Sequence, residues 1–210
     1  MSKEYVILLH GLLRKKGSMK KMKTALEKEG FEVINHDYPS NKADVQTLAL
    51  EEIPAALSLC PNASKIHFIT HSMGGILLRA YLNKHHIDKL GHVVMLGPPN
   101  QGSQIVDKIG RFPGFTFLNG PAGLELSTKG IVRSLKPIDF SLGIIAGTKT
   151  IDPIGFMMLP FPNDGKVSVE STKIEGMRDH LVMDVTHTFM MQNSEVIKKS
   201  IHFLKEGSFT

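Results

Sequence analysis

Residues 65–82 read KIHFITHSMGGILLRAYL, and this stretch decides the fold. Residues 65–69 form a short apolar run, which is typical of a buried strand. The run leads directly into Ser72, and the apolar residues between 76 and 81 recur with the period of a helix. We therefore predict a strand, a sharp turn that carries Ser72, and a helix, in that order.

Short apolar runs and helical patterns alternate along the rest of the chain. Further strands are predicted at residues 5–9, 31–34, 93–96 and 142–146, and further helices at residues 18–29, 44–59 and 194–205. Ser18 is placed to cap the first of these helices, and Pro54 should kink or split the second. The alternation is typical of an α/β protein with a mostly parallel sheet of about six strands and helices on both faces.

Length and composition indicate one soluble domain. A chain of 210 residues fits a single domain that spans residues 1–210. Residues 97–137 are rich in glycine and proline and have weak periodicity, so we expect a small cap or insertion there. Because no apolar run reaches the roughly 20 residues that a membrane span requires, the chain should be soluble.

The start of the chain and its single cysteine bear on its compartment. The first predicted strand begins at Tyr5, which leaves no room for a signal peptide, so we expect a cytoplasmic protein. Cys60 stands alone, which excludes an internal disulfide and a cysteine-based metal cluster. We expect its side chain to be buried at a helix end.

Positive charge is modest overall but clustered locally. A net charge of +5 is too small to indicate nucleic-acid binding. Six basic side chains nevertheless lie within ten residues, namely Arg14, Lys15, Lys16, Lys20, Lys21 and Lys23. This basic cluster would suit an anionic membrane or an acidic substrate, although lysines on a solvated helix face are ordinary.

Ser72 has the surroundings of a catalytic nucleophile. A serine hydroxyl is a weak nucleophile, so it must be presented on an exposed turn beside a base. The elbow pattern G-x-S-x-G does this, because small residues fit the crowded turn. Here Thr70 replaces the first glycine, whereas Gly74 is retained. The alternative is that Ser72 only caps the following helix, as serine often does.

Two backbone N–H groups are the expected oxyanion donors. Such donors stabilise the negative oxygen of a tetrahedral intermediate. Met73 directly follows the nucleophile, and Leu12 follows His10 and Gly11 in the loop after the first strand. We therefore predict an oxyanion hole from the N–H groups of Leu12 and Met73, and a structural role for His10.

The base and the acid should follow the last strand, because the triad order in this kind of site is serine, acid, histidine. His187 lies on a polar loop after an apolar stretch, whereas His202 falls within the terminal helix. Neighbouring residues on an extended chain point to opposite faces, so His180 and Asp179 cannot readily act on one another. We predict His187 as the base.

The acid is chosen between two aspartates. Asp164 stands in an Asn-Asp-Gly turn, which holds a side chain in a defined position. Asp152 lies nearer the strand at residues 142–146 and is the competitor. Turn chemistry favours Asp164 and leaves Asp152 open.

These motifs together resemble the small bacterial lipases and esterases of the α/β-hydrolase superfamily, and are similar to triacylglycerol lipases and GPI-inositol deacylases. The resemblance covers nearly the whole chain and rests on residues 10–11, 71–75, 97–103 and 163–165 with His187. In those families the aspartate of an Asn-Asp-Gly turn is the acid and a histidine about this far downstream is the base, which strengthens Asp164.

The resemblance also has two departures. Some larger bacterial lipases bind calcium partly through an aspartate two positions after the triad histidine, and Phe189 occupies that position here. Calcium is therefore not implied. We also expect the family's two leading antiparallel strands to be absent before residues 5–9, so the resemblance implies a minimal α/β-hydrolase fold.

These observations favour a serine hydrolase that cleaves carboxylic esters of small molecules or lipids and requires no metal or organic cofactor. The same triad would serve a thioesterase or an acyltransferase, and a binding protein on this fold is a further alternative. An acyl group could be bound in the insertion by Phe112, Phe115, Phe117 and Leu118, unless these side chains only pack.

Overall fold

Six strands form one sheet in the computed structural model, which describes residues 3–110, 112–151 and 153–210. In chain order they are β1 (Lys3–Leu9), β2 (Glu32–His36), β3 (Ala63–His71), β4 (Leu90–Leu96), β5 (Leu142–Gly147) and β6 (Asp179–Met183). The strand order is β2-β1-β3-β4-β5-β6, and each neighbouring pair is parallel. The predicted six-stranded parallel sheet is confirmed.

Helices cover both faces of this sheet. They are α1 (Lys20–Lys28), α2 (Val45–Ser58), α3 (Met73–Leu82), α4 (Gln104–Ile109), α5 (Pro113–Glu125), α6 (Pro153–Met158), α7 (Val169–Thr172) and α8 (Ser194–Glu206). Short 3₁₀ turns lie at Lys16–Met19, Ile131–Ser134 and Met190–Gln192. Helices α2 and α3 pack in the core on one face, and α1 and α8 pack in the core on the other. The chain therefore has the α/β class that its sequence predicts.

The apolar runs are buried because the sheet is covered on both sides. In β1, Ile7 and Leu9 point into the core beside α2 and α3, whereas Val6 and Leu8 point into the core beside α1 and α8. Side chains alternate between the two faces of a strand, so a strand buried on both sides requires an unbroken apolar run. The same reasoning applies to β4 and β5.

The predicted cap of α1 is wrong, and the predicted split of α2 at Pro54 is not found. Ser18 does not cap α1, since it lies in the 3₁₀ turn and its hydroxyl donates to the Lys15 carbonyl at 2.8 Å. Pro54 does not split α2, which runs through it without a break. Proline has no N–H group to donate to the carbonyl four residues earlier, which is that of Leu50. Because Leu50 is exposed, water can bond this carbonyl instead. Cys60, as expected, is buried just after α2.

The glycine-rich region at residues 97–137 contains α4, α5 and one 3₁₀ turn. The helical path of α5 is interrupted at Gly120, whose φ of 65° is left-handed. Ala122 and Leu126 are buried in the same core as α2 and α3. That this region acts as a cap stays a prediction. Each helix in the described part of the chain is too short or too polar to span a bilayer.

Candidate active site

Ser72 lies on a sharp turn between β3 and α3. Its φ of 53° and ψ of −122° are strained for a residue with a side chain. The turn is tied to the sheet because the Ser72 N–H donates to the Leu96 carbonyl at 2.9 Å. The Ser72 side chain makes no capping hydrogen bond with α3. A capping role therefore does not account for this serine, whose side chain is partly exposed.

Glycines make the close approach of α3 to the sheet possible. A methyl group at Gly74 would lie 2.8 Å from the Leu9 carbonyl oxygen and 2.9 Å from that of His10. A methyl group at Gly75 would lie 3.1 Å from the Thr70 hydroxyl oxygen. Thr70, where the elbow pattern has a glycine, is therefore accommodated by the additional glycine at position 75.

The loop after β1 lies against this turn. A methyl group at Gly11 would lie 3.2 Å from Cβ of Ser72. Leu12 follows directly, and Met73 is the first residue of α3, where N–H groups have no acceptor within the helix. The two predicted oxyanion donors thus flank Ser72 from two different elements, and their role stays a prediction.

Asp164 and His187, 23 positions apart, meet in a buried pair. His187 Nδ1 lies 2.7 Å from Asp164 Oδ2, and the His187 N–H donates to the Asp164 carbonyl at 2.9 Å. The other carboxylate oxygen accepts from the N–H groups of Lys166 at 2.9 Å and Val167 at 2.8 Å. Both oxygens of the carboxylate are therefore occupied, and His187 Nε2 is the ring nitrogen left to meet a substrate or Ser72.

The Asn-Asp-Gly turn that carries the carboxylate is itself braced. Asn163 is buried, and its Oδ1 accepts from the Gly165 N–H at 2.9 Å and from the Thr150 hydroxyl at 2.6 Å. Gly165 has a φ of 97°, which favours glycine. Asp152, the alternative acid, lies outside the described residues.

His71 is a candidate residue to which sequence reasoning assigned no role. Its Nε2 lies 3.0 Å from the His187 carbonyl oxygen, which makes it the donor. Burial, and then the positive charge that His187 can carry, hold the pKa of His71 well below its usual range. His71 is therefore neutral, and it places the loop of His187 beside the residue that precedes Ser72. Its position next to the serine was the available signal.

The other histidines considered as candidates lie elsewhere. His10 is buried, stacks on Tyr38 with ring centroids 4.2 Å apart, and pairs through Nδ1 with the Gly11 carbonyl at 2.9 Å, as expected for a structural residue. His180 Nε2 lies 2.9 Å from the Thr172 hydroxyl, away from His187. His202 is exposed on α8.

The proposed acyl-binding side chains lie in or just before α5. Phe112, Phe117 and Leu118 are exposed, with Phe117 the most exposed at 87%, and Phe115 is partly buried. Packing in the core does not account for the three exposed side chains. Their role in binding an acyl group stays a prediction.

The parallel sheet, its helical cover and the serine turn between β3 and α3 define the class of this protein, which is an α/β-hydrolase. Residues 5–134 match the model of the palmitoyl protein thioesterase family, so the chain belongs to that family. It is accordingly a hydrolase of the esterase, lipase and thioesterase type. The predicted resemblance to small lipases and esterases is confirmed.

Solved structures of three hydrolases from different organisms have the same fold at low sequence identity. Bacillus licheniformis lipase BlEst2 in mature form is 19% identical, with a TM-score of 0.75 over 97% of this chain and 92% of that chain. Phospholipase PlaB from Legionella pneumophila is 15% identical, with a TM-score of 0.70 over 96% and 57%. The Pyrococcus furiosus esterase Pf2001 is 19% identical, with a TM-score of 0.67 over 97% and 83%. No curated protein sequence matches this chain.

Proposed function

We propose that the protein hydrolyses carboxylic esters through an acyl-enzyme on Ser72. The observation that carries this proposal is the strained Ser72 turn beside the buried Asp164–His187 pair, which His71 holds against the same turn. A strained backbone persists only where the surrounding structure enforces it, and such positions concentrate at functional sites. The arrangement supports acyl transfer to a serine.

The residues would act in the following roles. Ser72 Oγ attacks the ester carbonyl carbon while His187 Nε2 accepts the hydroxyl proton. Asp164 keeps the proton of His187 on Nδ1 and stabilises the imidazolium that forms. The N–H groups of Leu12 and Met73 donate to the oxyanion. His187 then protonates the leaving alcohol, and the acyl group remains on Ser72.

The second half of the reaction repeats these steps with water. His187 removes a proton from a water molecule, which attacks the acyl carbon, and Ser72 leaves with the proton that His187 returns. An alcohol in place of water would give acyl transfer. A product analysis with added short alcohols separates the two reactions, because transfer yields a new ester and hydrolysis yields the free acid.

Replacing the nucleophile tests the proposal. We expect Ser72→Ala to lower kcat/KM for p-nitrophenyl butyrate by at least about 10³-fold, since loss of a covalent nucleophile removes the acyl-enzyme route. The matched control is Ser58→Ala at the exposed end of α2, which should retain activity. Labelling of wild type, but not of Ser72→Ala, by a fluorophosphonate is the second measurement. Full activity of Ser72→Ala would refute the role of Ser72.

Thioesters are the second candidate substrates, and membership of the palmitoyl protein thioesterase family favours them. The acyl-enzyme is the same whether the leaving atom is oxygen or sulfur, so the site geometry does not separate them. The test compares octanoyl esters of p-nitrophenol and p-nitrothiophenol across wild type and Ser72→Ala. A higher kcat/KM for the thioester than for the ester would assign thioester hydrolysis.

We also propose that the protein docks on anionic membranes. Exposed apolar side chains follow the carboxyl ends of four strands, and comprise Leu13, Phe112, Phe117, Leu118, Ile151, Phe156, Met157, Phe161 and Phe189. Because the strands are parallel, these ends meet at one edge of the sheet, and Ser72 lies at the same edge. We call this set the apolar rim.

The basic cluster adjoins the apolar rim. Leu13 precedes Arg14, and the 3₁₀ turn Lys16–Met19 contacts the turn Met190–Gln192, which directly follows Phe189. Apolar side chains beside basic ones suit the surface of an anionic bilayer. A lipid ester would thereby be presented to the edge of the sheet that carries Ser72.

Co-sedimentation with vesicles tests the membrane proposal. We expect binding to phosphatidylglycerol vesicles that weakens in Phe117→Ser, and weaker binding to phosphatidylcholine vesicles. Leu59→Ser is the matched control, because Leu59 is 52% exposed but lies between α2 and β3, at the opposite edge of the sheet. Absence of binding to both kinds of vesicle would refute membrane docking and leave the ester-hydrolysis proposal intact.

A further inference from the structure

A cavity of about 460 Å³ lies beside the loop after β1. One wall is formed by residues 13–15 of that loop, and the other by residues 37–41, which connect β2 to α2. The loop begins at Gly11, which contacts the Ser72 turn, and Leu12 is a proposed oxyanion donor. The cavity therefore lies on the same loop as Gly11, which meets the Ser72 turn, and as the proposed oxyanion donor Leu12.

Buried groups hold both walls in place. The Tyr38 ring stacks on buried His10, and the Tyr38 hydroxyl donates to the His10 carbonyl at 2.5 Å. The Leu13 N–H donates to the hydroxyl of buried Ser40 at 3.0 Å, although Leu13 has a φ of 56°. Because these contacts fix both walls, the cavity is preformed, and a preformed site binds at a lower entropic cost.

The cavity carries an unbalanced positive charge. Arg14 is partly buried and Lys15 is exposed, and among the described residues neither forms an ion pair. Asp37, the acidic residue of the lining, already accepts from the Lys16 N–H at 2.7 Å and lies 3.5 Å from His10 Nε2. The guanidinium is thus left to a ligand.

The charge of Arg14 also acts within the candidate active site. Among the influences that lower the pKa of His71, after burial and the charge of His187, is the positive charge of Arg14. His71 precedes Ser72, so the guanidinium lies within electrostatic reach of the reacting groups.

We propose that this cavity binds a carboxylate or phosphate on the leaving group of the substrate, with Arg14 as its main partner. Arginine suits both anions because its planar N–H donors match two oxygens at once. The charged cavity suits the alcohol or thiol portion of the substrate. This inference rests on the proposed ester or thioester hydrolysis and names its substrate class.

Two pairs of esters test the inference. Within each pair, one ester carries a charged group and the other does not. The soluble pair is para-acetoxybenzoate and para-acetoxybenzamide, and the lipid pair is palmitoyl lysophosphatidic acid and monopalmitoylglycerol. We expect wild type to favour the anionic member by about tenfold in kcat/KM, as for a charge-assisted hydrogen bond. Preference in the soluble pair alone assigns small anionic esters, and preference in the lipid pair alone assigns a phospholipid headgroup.

Variants at Arg14 connect any preference to this cavity. In Arg14→Gln the ratio within each pair should fall to within about twofold of unity, and Arg14→Lys should retain part of the preference. Lys28→Gln is the matched control, since it removes the same charge at the far end of α1 and should leave the ratio unchanged. The ratio of kcat/KM for the two esters of a pair is compared between variants, so differences in the intrinsic reactivity of the esters cancel.

Salt provides a measurement that needs no variant. The wild-type preference should weaken as NaCl rises from about 20 mM to about 500 mM, because salt screens an exposed charge pair. Equal rates within both pairs, or a preference that persists in Arg14→Gln, would overturn the inference. Hydrolysis of all four esters without preference would leave the proposed function standing, whereas hydrolysis of none by wild type would count against the proposed function itself.

Discussion

His187 is held by three hydrogen bonds from two distant parts of the chain. Its ring and its N–H bind Asp164, and its carbonyl accepts from His71. A base must be held at a defined position to remove a proton efficiently. In the proposed mechanism His71 is therefore a positioning residue, because it acts through His187.

Removing the His71 donor should affect turnover more than binding. We expect His71→Leu to lower kcat for p-nitrophenyl butyrate by about tenfold or more with little change in KM. A misplaced base reduces the stabilisation of the transition state but does not affect substrate binding. His71→Gln, which retains an N–H donor, should recover part of the loss. The control is His180→Leu, which removes a histidine that binds Thr172 and not His187. Equal losses of kcat in both leucine variants would indicate a general structural effect.

The proposed choice of Asp164 as the acid can also be tested at the scale of residues. We expect Asp164→Asn to lower kcat by about 10³-fold or more, because an amide at this position favours the wrong tautomer of His187. Asp152→Asn, the sequence-based competitor, should stay near wild-type activity. The measurement is kcat for p-nitrophenyl butyrate at pH 8, and the reverse ranking of the two variants would reassign the acid.

At the scale of elements, the strand β3, the turn and the helix α3 act as one unit. The turn requires α3 to start close to β1, and Gly74 is where the two backbones approach. Any side chain there would push against the carbonyl oxygens that precede the loop of Leu12. The glycine therefore serves both the fold and the position of a proposed oxyanion donor.

Adding one methyl group tests this packing. Gly74→Ala should destabilise the protein by about 2 kcal/mol, the size typical of an overpacked contact, because backbone oxygen atoms cannot rotate away. It should also lower kcat, since the loop with Leu12 must shift. Gly17→Ala is the control, because a methyl group there meets no atom within 4 Å. Unfolding midpoints in urea and kcat for both variants check this, and an unchanged midpoint in Gly74→Ala would contradict it.

At the scale of the whole molecule, burial controls the response to pH. Burial is the first cause that lowers the pKa of five of the ten histidines, namely His10, His67, His71, His92 and His180. Burial lowers the pKa of His67 to about 4. The charges of His92 and Lys65 also lower this pKa, and the opposing effect of Glu4 is only partial. The unfolded chain therefore binds more protons than the folded chain just below the usual histidine pKa.

Stability should fall as the pH falls below about 6.5, the unperturbed histidine pKa. A lowered pKa in the folded state means full stability above that pH and progressive loss below it. We expect the urea midpoint to fall between pH 7 and pH 5. His67→Leu should flatten this slope, whereas His86→Leu, at an exposed position, should not. A slope that His67→Leu leaves unchanged would contradict this account.

Much of the fold follows from local patterns that one sequence contains. The apolar runs of β1, β3, β4 and β5 and the periodicity of α8 place these elements to within a few residues. A strand that is buried on both faces requires an unbroken apolar run, and a helix that is buried on one face requires a periodic one. Residues 97–137 could not be assigned, since α5 is interrupted at Gly120 and its burial depends on partners such as α2. Ser18 does not cap α1 because it lies within the 3₁₀ turn before the helix, and Met19 occupies the cap position.

The sequence by itself determined the sheet, the serine turn and the separate candidates Ser72, Asp164 and His187, because turn chemistry and periodicity act over a few neighbouring residues. Only the tertiary structure decided that Asp164 and His187 form a buried pair, and that His71 bonds the His187 carbonyl. Those relations join residues that are distant along the chain. They depend on which strand ends meet at one edge of the sheet, and short-range patterns carry no information about such distances.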